Sequence, residues 1–364
     1  MKFKIQKSNF LEGLKVVQNI VAGKGLLQIM QNVLLSANGK ELNLRTTDLD
    51  ISICCKVECE TLESGGSTLP VKMLSNMIAK LPDGEVIVDI DANDRAAIKA
   101  GNVNYKLPGL PELDFPKLPK NEENIEYTIS AAILKEMFRK TSYAASQDDT
   151  RRTLKGVLMS FNDSKLVMVA TDGRRLAMVE NELDFPKDCS KDMVVPSKTV
   201  QELIRSLSNE GEVKIMTQAS QICFSFGNVQ IYSKLIDDKY PDYKQVIPKT
   251  NNQSISLDRQ MLLDALDRTS IMTLDGSLST KLVFSNGKLS VSSAANDKGE
   301  AKDEVPIKYA GDAIEILFNP SYMMDCLKAI DDDDVTIELE DGQHPAIIRC
   351  AIPFLYVLMP LRSN

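Results

Sequence analysis

Three segments share one pattern: FKIQKSNFLEGLKVV at 3–17, YTISAAILKEMFRKT at 127–141 and ISLDRQMLLDALDRT at 255–269. Each begins with the alternation of apolar and polar residues that is typical of a strand, and continues with apolar residues at helical spacing. The corresponding helix positions are Phe10, Leu14 and Val17, then Leu134, Phe138 and Thr141, then Leu262, Leu266 and Thr269. The chain therefore repeats a strand and a helix three times.

A predicted hairpin follows each of these segments. The three stretches are VLLSANGKELNLRTTDLD at 33–50, VLMSFNDSKLVMVATDGRRLA at 157–177 and LVFSNGKLSVSSAANDKGE at 282–300. Their turns, which tolerate positive φ, are Asn38-Gly39, Asn162-Asp163 and Asn286-Gly287. Pro70, Pro196 and Pro320 then introduce a second helix, because proline suits a helix entry.

The complete repeat reads as strand, helix, three strands, helix and two strands. Proline-rich segments, LPGLPELDFPKLP and DKYPDYKQVIPK, separate the copies. We therefore expect an α+β fold in three repeated domains at residues 1–121, 122–249 and 250–364, with boundaries near Asn121 and Lys249. Regular repeats of this length are typical of one structural unit used three times.

The composition argues against several classes of function. The chain has one histidine, His344, which argues against histidine-based catalysis, and no phosphate-binding GxxxxGK[ST] motif. Its seven cysteines show no CxxC spacing, so we expect reduced thiols and no metal or other cofactor. The run Asp331 to Asp334 is interpreted as a solvated turn. With neither a membrane span nor an apolar secretory segment, we expect a cytoplasmic protein.

The repeats are compatible with a ring. Two copies of the chain would supply six units and twelve helices. Helices side by side at ~9 Å would form a circle about 35 Å across at their axes, and subtracting a ~10 Å helix diameter leaves an opening of about 25 Å, close to the width of a DNA duplex. The predicted helices carry more bases than acids although the chain carries −8, which favours a phosphate-rich guest inside. Ordinary solvated helix faces are the alternative interpretation.

The chain resembles the bacterial DNA polymerase III β subunit family, the β sliding clamps, over essentially its whole length. The most specific pieces are ATDGRRLA at 170–177, KYPDYKQVIP at 239–248 and YVLMPLR at 356–362. The resemblance implies a non-catalytic head-to-tail homodimer with antiparallel sheets outside and helices lining the hole. Tyr105 and Leu107 would then meet Ile271 and Met272 of the other subunit. A place in the core of their own domain is the alternative for these four residues.

The resemblance also implies a cleft for partner peptides between the second and third domains. Its residues would be Leu154, Thr171, Gly173, Arg175, Leu176, Pro241, Val246, Val357, Met359, Pro360 and Leu361. From the residues alone, TDGRRLA is a hairpin turn and a strand. The implied partners are a clamp loader, the DNA polymerase III α subunit, other polymerases, ligase and mismatch-repair proteins, all through short linear motifs.

Contacts to duplex DNA, independent of sequence, are implied for six residues. They are Lys24, Gln147, Arg151 and Arg152 on loops, and Lys198 and Arg205 on a helix. The chain departs from many relatives at Arg174 and Gln245, and at Arg152 and Thr153, where some relatives have aromatic residues. These departures affect peptide preference and the stacking of single-stranded DNA.

Two other functions are compatible with the sequence. The chain could be a homo-oligomeric repeat scaffold that never surrounds DNA, and sedimentation would distinguish an open monomer from a ring. It could instead be an enzyme that uses Asp172 and Arg175 at a phosphate or metal, which a nuclease or phosphatase assay on Asp172→Asn would test.

Overall fold

The computed structural model describes residues 1–21, 27–118, 125–186, 189–218, 220–249, 252–273, 279–295, 299–351 and 353–361. These residues form two compact units. Unit 1 contains Met1–Lys135 and Gln201–Leu235, and unit 2 contains Glu136–Val200 and the chain from Ile236 onward. Neither unit coincides with a predicted domain, because the central repeat contributes to both. Asn121, the first predicted boundary, lies outside the described residues.

The elements recur in the same order in all three repeats, with one additional strand, β5, in the first. The first repeat contains β1 Lys2–Gln6, α1 Lys7–Val17, β2 Asn32–Asn38, β3 Glu41–Thr47, β4 Ile51–Glu58, β5 Glu60–Glu63, β6 Gly65–Pro70, α2 Val71–Lys80, β7 Glu85–Ile90, β8 Arg95–Ala100 and β9 Val103–Pro108. The second contains β10 Ile125–Ser130, α3 Ala131–Thr141, β11 Gly156–Asn162, β12 Lys165–Thr171, β13 Arg175–Glu182, β14 Lys191–Pro196, α4 Ser197–Ser206, β15 Glu212–Thr217, β16 Gln221–Phe226 and β17 Val229–Lys234. The third contains β18 Gln253–Asp258, α5 Arg259–Ser270, β19 Thr280–Ser285, β20 Lys288–Ala295, β21 Gly299–Pro306, β22 Ile314–Phe318, α6 Pro320–Ala329, β23 Asp334–Leu339, β24 Ala346–Arg349 and β25 Phe354–Leu358.

The predicted helix faces are buried. Along α1 the buried residues are Phe10, Gly13, Leu14 and Val17, which follow the helical period. Gly13 allows this helix to lie close to the sheet, because a Cβ there would be 2.6 Å from Leu44 Cδ1. The nine corresponding helix positions of the three repeats are all buried. The repeated sequence pattern therefore predicts core residues.

Helix entries differ between the copies. The Asp258 carboxylate accepts a hydrogen bond from the Met261 N–H, and the Asn319 side chain accepts one from Ser321 N–H ahead of Pro320. Both are N-cap interactions, which satisfy amide groups that lack a partner in the first helical turn. These caps fix where α5 and α6 begin.

The described strands form four antiparallel sheets. In unit 1 the strand orders are β5-β1-β7-β8-β9 and β10-β15-β16-β17-β4-β3-β2-β6, and in unit 2 they are β14-β11-β12-β13-β25-β24-β23-β18 and β21-β20-β19-β22. Each eight-stranded sheet combines four strands from each of two repeats. We call the pairing of β17 with β4 the first join, and the pairing of β13 with β25 the second join.

The predicted strand count per repeat is wrong. Each repeat has an additional strand directly before its second helix. The stretch that was predicted as the last strand is a hairpin of two strands. In the first two repeats Gly101 and Gly227, with φ of +54° and +52°, make the tight turns that divide it. Because a two-residue turn reverses the chain, each repeat ends in a hairpin whose second strand is free to pair with another repeat.

Two sequence expectations concern membrane-spanning helices and the cysteine thiols. No helix among the described residues is long and apolar enough to span a membrane. The described Cys54, Cys55, Cys59, Cys223 and Cys326 carry thiols that form no disulfide.

Candidate functional site

An apolar cluster covers the second join on one face of its sheet. Its buried members come from several strands and one loop, and they are Leu158, Val169, Leu176, Val194, Tyr240, Ile347, Leu355 and Val357. Strand alternation explains the set, because residues two apart on a strand point to the same side. Leu176 faces Val357 across the join, so these two predicted residues lie side by side.

Exposed apolar residues lie next to this cluster in the sequence. Met359, Pro360 and Leu361 directly follow β25, and Met359 and Leu361 are partly exposed. The backbone N–H of Met359 donates to the Arg174 carbonyl at 3.0 Å, which ties this segment to the turn before β13. Exposed apolar groups beside a buried apolar cluster are typical of a surface that binds a partner.

The segment 240–247 packs on the same cluster. Tyr240 is part of it, and the partly buried Tyr243 and Ile247 pack against it. The predicted residues Pro241 and Val246 lie on this segment, and both are exposed. We call the apolar cluster, this segment and residues 359–361 the candidate peptide surface.

The turn between β12 and β13 has a defined shape. Thr171 Oγ1 donates to the Arg175 carbonyl at 2.6 Å and accepts from Gly173 N–H at 3.0 Å, and Asp172 Oδ1 accepts from the N–H groups of Arg174 and Arg175. Gly173 has a φ of +85°, which suits glycine far better than other residues. This hydrogen bonding makes the turn rigid beside the candidate peptide surface.

Arg175 supports the turn from within the unit. Its guanidinium contacts Asp172 at 3.0 Å and Asp325 at 2.7 Å, donates to the Tyr143 carbonyl, and stacks on the Tyr322 ring at 4.3 Å. Burial opposes the charge, yet nearby Tyr356 and the two carboxylates raise the pKa of Arg175 above its ordinary value. Its side chain is 9% exposed, so Arg175 acts as a structural brace more than as a group offered to a peptide.

The residues that contact the Arg175 guanidinium were not predicted from the sequence. Asp325 lies 150 residues from Arg175, and its position on α6 carries no local signal. Tyr143 lies in a short 3₁₀ turn after α3. By contrast, Leu355 could have been found, because it lies two residues before Val357 on the same strand face.

The predicted DNA-contact loop touches this same turn. Arg151 Nη1 donates to the Asp172 carbonyl at 2.9 Å, and its Nε lies 3.8 Å from Asp148 Oδ2. Gln147, Arg151 and Arg152 are exposed. The loop therefore presents side chains to solvent while one of its arginines anchors it.

The other predicted DNA residues lie on α4 or outside the described chain. Lys198 and Arg205 are both exposed on α4, and Arg205 pairs with the buried Glu202. Lys24 lies outside the described residues. The described helices also contain paired bases, since Lys140 is buried against Glu136, so not every helix base is available to phosphate.

The predicted subunit contacts lie at sheet edges. In unit 1, β9 is an edge strand; its Leu107 is 3% exposed, whereas Tyr105 is half-buried. In unit 2, β21 is an edge strand, and the 3₁₀ turn Ile271–Thr273 packs against it. Ile271 is 62% exposed, so its apolar side chain faces solvent in the single chain.

Comparison with known proteins identifies the family. Three domain models of the DNA polymerase III beta subunit match the chain: the N-terminal domain at residues 1–119, the central domain at 128–242 and the C-terminal domain at 244–362. The chain belongs to the DNA polymerase III beta subunit family. The predicted resemblance and the predicted α+β clamp fold are thereby confirmed.

Relatives support the same conclusion over the full chain. The beta sliding clamp of Pseudomonas aeruginosa is 34% identical and that of Chlamydia muridarum 31%, each with 100% of both chains covered. The crystal structure of the Pseudomonas aeruginosa subunit matches with a TM-score of 0.96 at 33% identity, and covers 100% of both chains. The predicted function, a DNA sliding clamp and processivity factor that is not an enzyme, is confirmed.

A second solved relative carries a ligand. The Caulobacter crescentus beta sliding clamp, 32% identical with a TM-score of 0.94 and 100% of both chains covered, has polyethylene glycol bound at the region proposed to tether the beta-motif. Family membership also establishes, at the coarse level, that DNA and a polymerase are partners.

Proposed function

We propose that two copies of this clamp close head to tail around duplex DNA, with β9 of each copy pairing with β21 of the other. The sheets carry this proposal. In both joins, the last strand of one repeat pairs with the strand that follows the first hairpin of another repeat. Only β9 and β21 occupy these roles and remain edge strands in the described chain. Open edges attract further strands, and closure removes them.

The joins also predict the register of this contact. Ser52 faces Tyr232 in the first join, and Leu176 faces Val357 in the second. The pairing of β21 and β9 with the neighbouring strands of their own hairpins gives the equivalent positions in these two strands. Glu300 on β21 is equivalent to Ser52 and Leu176. Lys106 on β9 is equivalent to Tyr232 and Val357. Lys106 would therefore face Glu300 of the second copy, which is a favourable charge pair.

Next to this pair, Tyr105 would face Ala301 of the second copy. A cavity of about 550 Å³ in unit 1 is lined by Tyr105 and by the apolar Val21, Met73 and Met77. The exposed Ile271, with Met272 beside it on the turn that packs against β21, is suited to fill this cavity. Tyr105, Leu107, Ile271 and Met272 thus remain our proposed interface, with Leu107 contributing its backbone edge.

The DNA contacts that we propose are those of the family resemblance. The set is Lys24, Gln147, Arg151, Arg152, Lys198 and Arg205. Exposure of the last five favours them, and phosphate contacts of this kind are independent of base sequence and weakened by salt. A closed ring tolerates weak contacts, because topology retains it on the duplex.

We propose that the candidate peptide surface binds short linear motifs of the clamp loader, the DNA polymerase III α subunit, other polymerases, ligase and mismatch-repair proteins. The ligand of the Caulobacter crescentus relative supports such a surface. Burial of two large apolar side chains gives about 3–6 kcal/mol before ordering costs. A short peptide should therefore bind at about micromolar affinity or weaker, which suits partners that exchange.

Three domains at residues 1–121, 122–249 and 250–364 and a cytoplasmic location complete the proposal. The equivalent element order of the repeats supports the division.

The test of encirclement compares DNA topologies. The chain is loaded by a clamp loader on nicked circular DNA, and the DNA is then cut once at a restriction site. We expect retention on the circle in gel filtration and rapid loss after cutting, while mock-digested circles keep the protein. Equal retention on both forms would favour a scaffold that binds DNA without surrounding it.

A further inference from the structure

A cavity lies on one face of the first join. It has a volume of about 490 Å³ and lies within the 300–1,000 Å³ range of small-ligand sites. Leu34, Arg45, Cys54, Leu118 and Gln230 are among the residues that line it. Helix α1 packs on the opposite face, since Gly13 approaches Leu44 and Cys55, so the cavity opens away from the helices.

The repeats make this cavity equivalent to part of the candidate peptide surface. Leu34, Arg45, Cys54 and Gln230 occupy the strand positions of Leu158, Val169, Met178 and Leu355. Three of the four positions thus change character between the joins. The two joins share the same backbone arrangement. The surface of the second join is apolar, whereas the surface of the first join has an arginine at its centre.

Arg45 is held in place without a counter-charge. Its guanidinium lies 5.1 Å from the centre of the Phe115 ring, and Nη2 donates to the Pro116 carbonyl at 3.0 Å. The Nε–H is buried and has no hydrogen-bond partner in the part of the chain that the structure describes. Among the described residues no carboxylate pairs with Arg45; the nearby Glu112 accepts a hydrogen bond from Ser36 at 3.3 Å.

Two ionisable neighbours of Arg45, the Cys54 thiol and the Tyr232 phenol, are neutral near pH 7. Burial raises the pKa of the Cys54 thiol to about 12, although Arg45 acts in the opposite direction. Burial likewise raises the pKa of Tyr232 above its ordinary value. Neither group can supply the negative charge that a partly buried guanidinium normally has beside it.

We propose that this cavity binds a carboxylate carried next to an apolar side chain, as in an acidic peptide segment. The site is separate from the candidate peptide surface and goes beyond the proposed function. A carboxylate would supply the counter-charge that Arg45 lacks, through a charge-assisted hydrogen bond to its guanidinium. Leu34 and Leu118 offer an apolar wall, and Asn43, Asn228 and Gln230 offer polar groups for a peptide backbone.

The proposal is tested with two defined probes on the full-length protein. They are the acetylated and amidated dipeptides aspartyl-leucine and asparaginyl-leucine, and their binding is measured by calorimetric titration. We expect the aspartyl probe to bind at least about tenfold more tightly to the wild type, since hydrogen bonds to charged groups are the stronger class. In Arg45→Met this preference should disappear.

Two further variants keep the test decisive. Arg45→Lys retains the charge but not the planar donor fork, so the aspartyl preference should be reduced but still measurable; this variant serves if Arg45→Met fails to fold. Met359→Asp, on the candidate peptide surface, should leave the preference unchanged. Equal binding of the two probes to the wild type, or loss of the preference in Met359→Asp but not in Arg45→Met, would overturn the proposal.

Discussion

The two joins have the same backbone and different chemistry. At the first join, Thr47 Oγ1 donates to the Ile51 carbonyl and accepts from Leu49 N–H, and Asp48 Oδ1 accepts from the N–H groups of Asp50 and Ile51. The turn 171–175 at the second join makes the same four hydrogen bonds. The repeat therefore fixes the geometry down to single hydrogen bonds.

The side chains on these turns differ. Leu49, with a φ of +79° and 54% exposed, occupies the position of Gly173, and Ile51 occupies that of Arg175. A leucine in the left-handed region is strained, and glycine is not. The comparison teaches that site chemistry in this fold is set by a few substitutions on a constant frame.

Replacing Arg175 by the first-join residue should have the largest effect. Arg175→Ile leaves Asp172 and Asp325 without their cation, and breaking a largely buried pair in this way costs about 3–5 kcal/mol. Denaturant unfolding should show this loss, while Arg174→Ile, at the exposed neighbouring position, should change little. A loss below 1 kcal/mol for Arg175→Ile would contradict the bracing role.

Leu176→Ser transfers another first-join residue into the second join. Truncating a buried leucine in the apolar cluster should destabilise the protein by about 2–4 kcal/mol and weaken the binding of a short peptide that contains leucine and phenylalanine. Leu62→Ser, on an exposed part of β5, is the matched control and should leave peptide affinity unchanged. Unchanged affinity in Leu176→Ser would remove this residue from the candidate peptide surface.

Exchanging the turn residues should give opposite, smaller effects. Gly173→Leu should destabilise by about 1–2 kcal/mol because of its positive φ, and Arg151 Nη1, 3.0 Å from the added Cβ, would also have to move. Leu49→Gly should stabilise by at most about 1 kcal/mol, since greater freedom of the unfolded chain offsets part of the relief. Thermal unfolding measures the stability of both variants. Shifts of the two unfolding temperatures in the same direction would contradict the equivalence of Leu49 and Gly173.

Glu136 on α3 makes the stability of the protein sensitive to acid. Burial opposes ionisation of Glu136, but hydrogen bonds from Arg139 and Lys140 lower its pKa to about 2. Because the folded pKa lies below the unfolded value, this carboxylate stabilises the protein above pH ~4.5, and the contribution is lost as pH falls towards 2. Glu136→Gln should flatten stability against pH in this window. An unchanged pH dependence in Glu136→Gln would contradict this role of the ion pairs.

Much of the fold was predictable because helix and strand periods are local. The repeat at Phe10, Leu134 and Leu262 identified three buried helices, and the Asn-Gly type turns identified the first hairpins. The division of each final strand was missed, although the Gly-Asn pairs at 101–102 and 227–228 carry the turn signal. That omission concealed the strands β9 and β17, on which the joins depend.

The site was only partly predictable. Leu176 and Val357 followed from the family resemblance, and the structure brings them side by side. The role of Arg175 could not be derived, because its partner Asp325 is distant in sequence and approaches only through tertiary packing. Arg45 was not recognised either, since a lone arginine in a strand is usually exposed, and only the first join reveals what surrounds it.

Cross-linking across the proposed pairing of β9 with β21 of a second copy tests the central claim most directly. Residues that face each other in an antiparallel pair have Cα atoms about 4.5–5.5 Å apart, within the range of a disulfide. The variant with Tyr105→Cys and Ala301→Cys should form covalent dimers on oxidation, well above the background of the wild-type cysteines. A variant with Val103→Cys and Ala301→Cys, two residues out of register, should not. Absence of covalent dimers in the first variant, or equal yields in both, would contradict closure by β9 and β21.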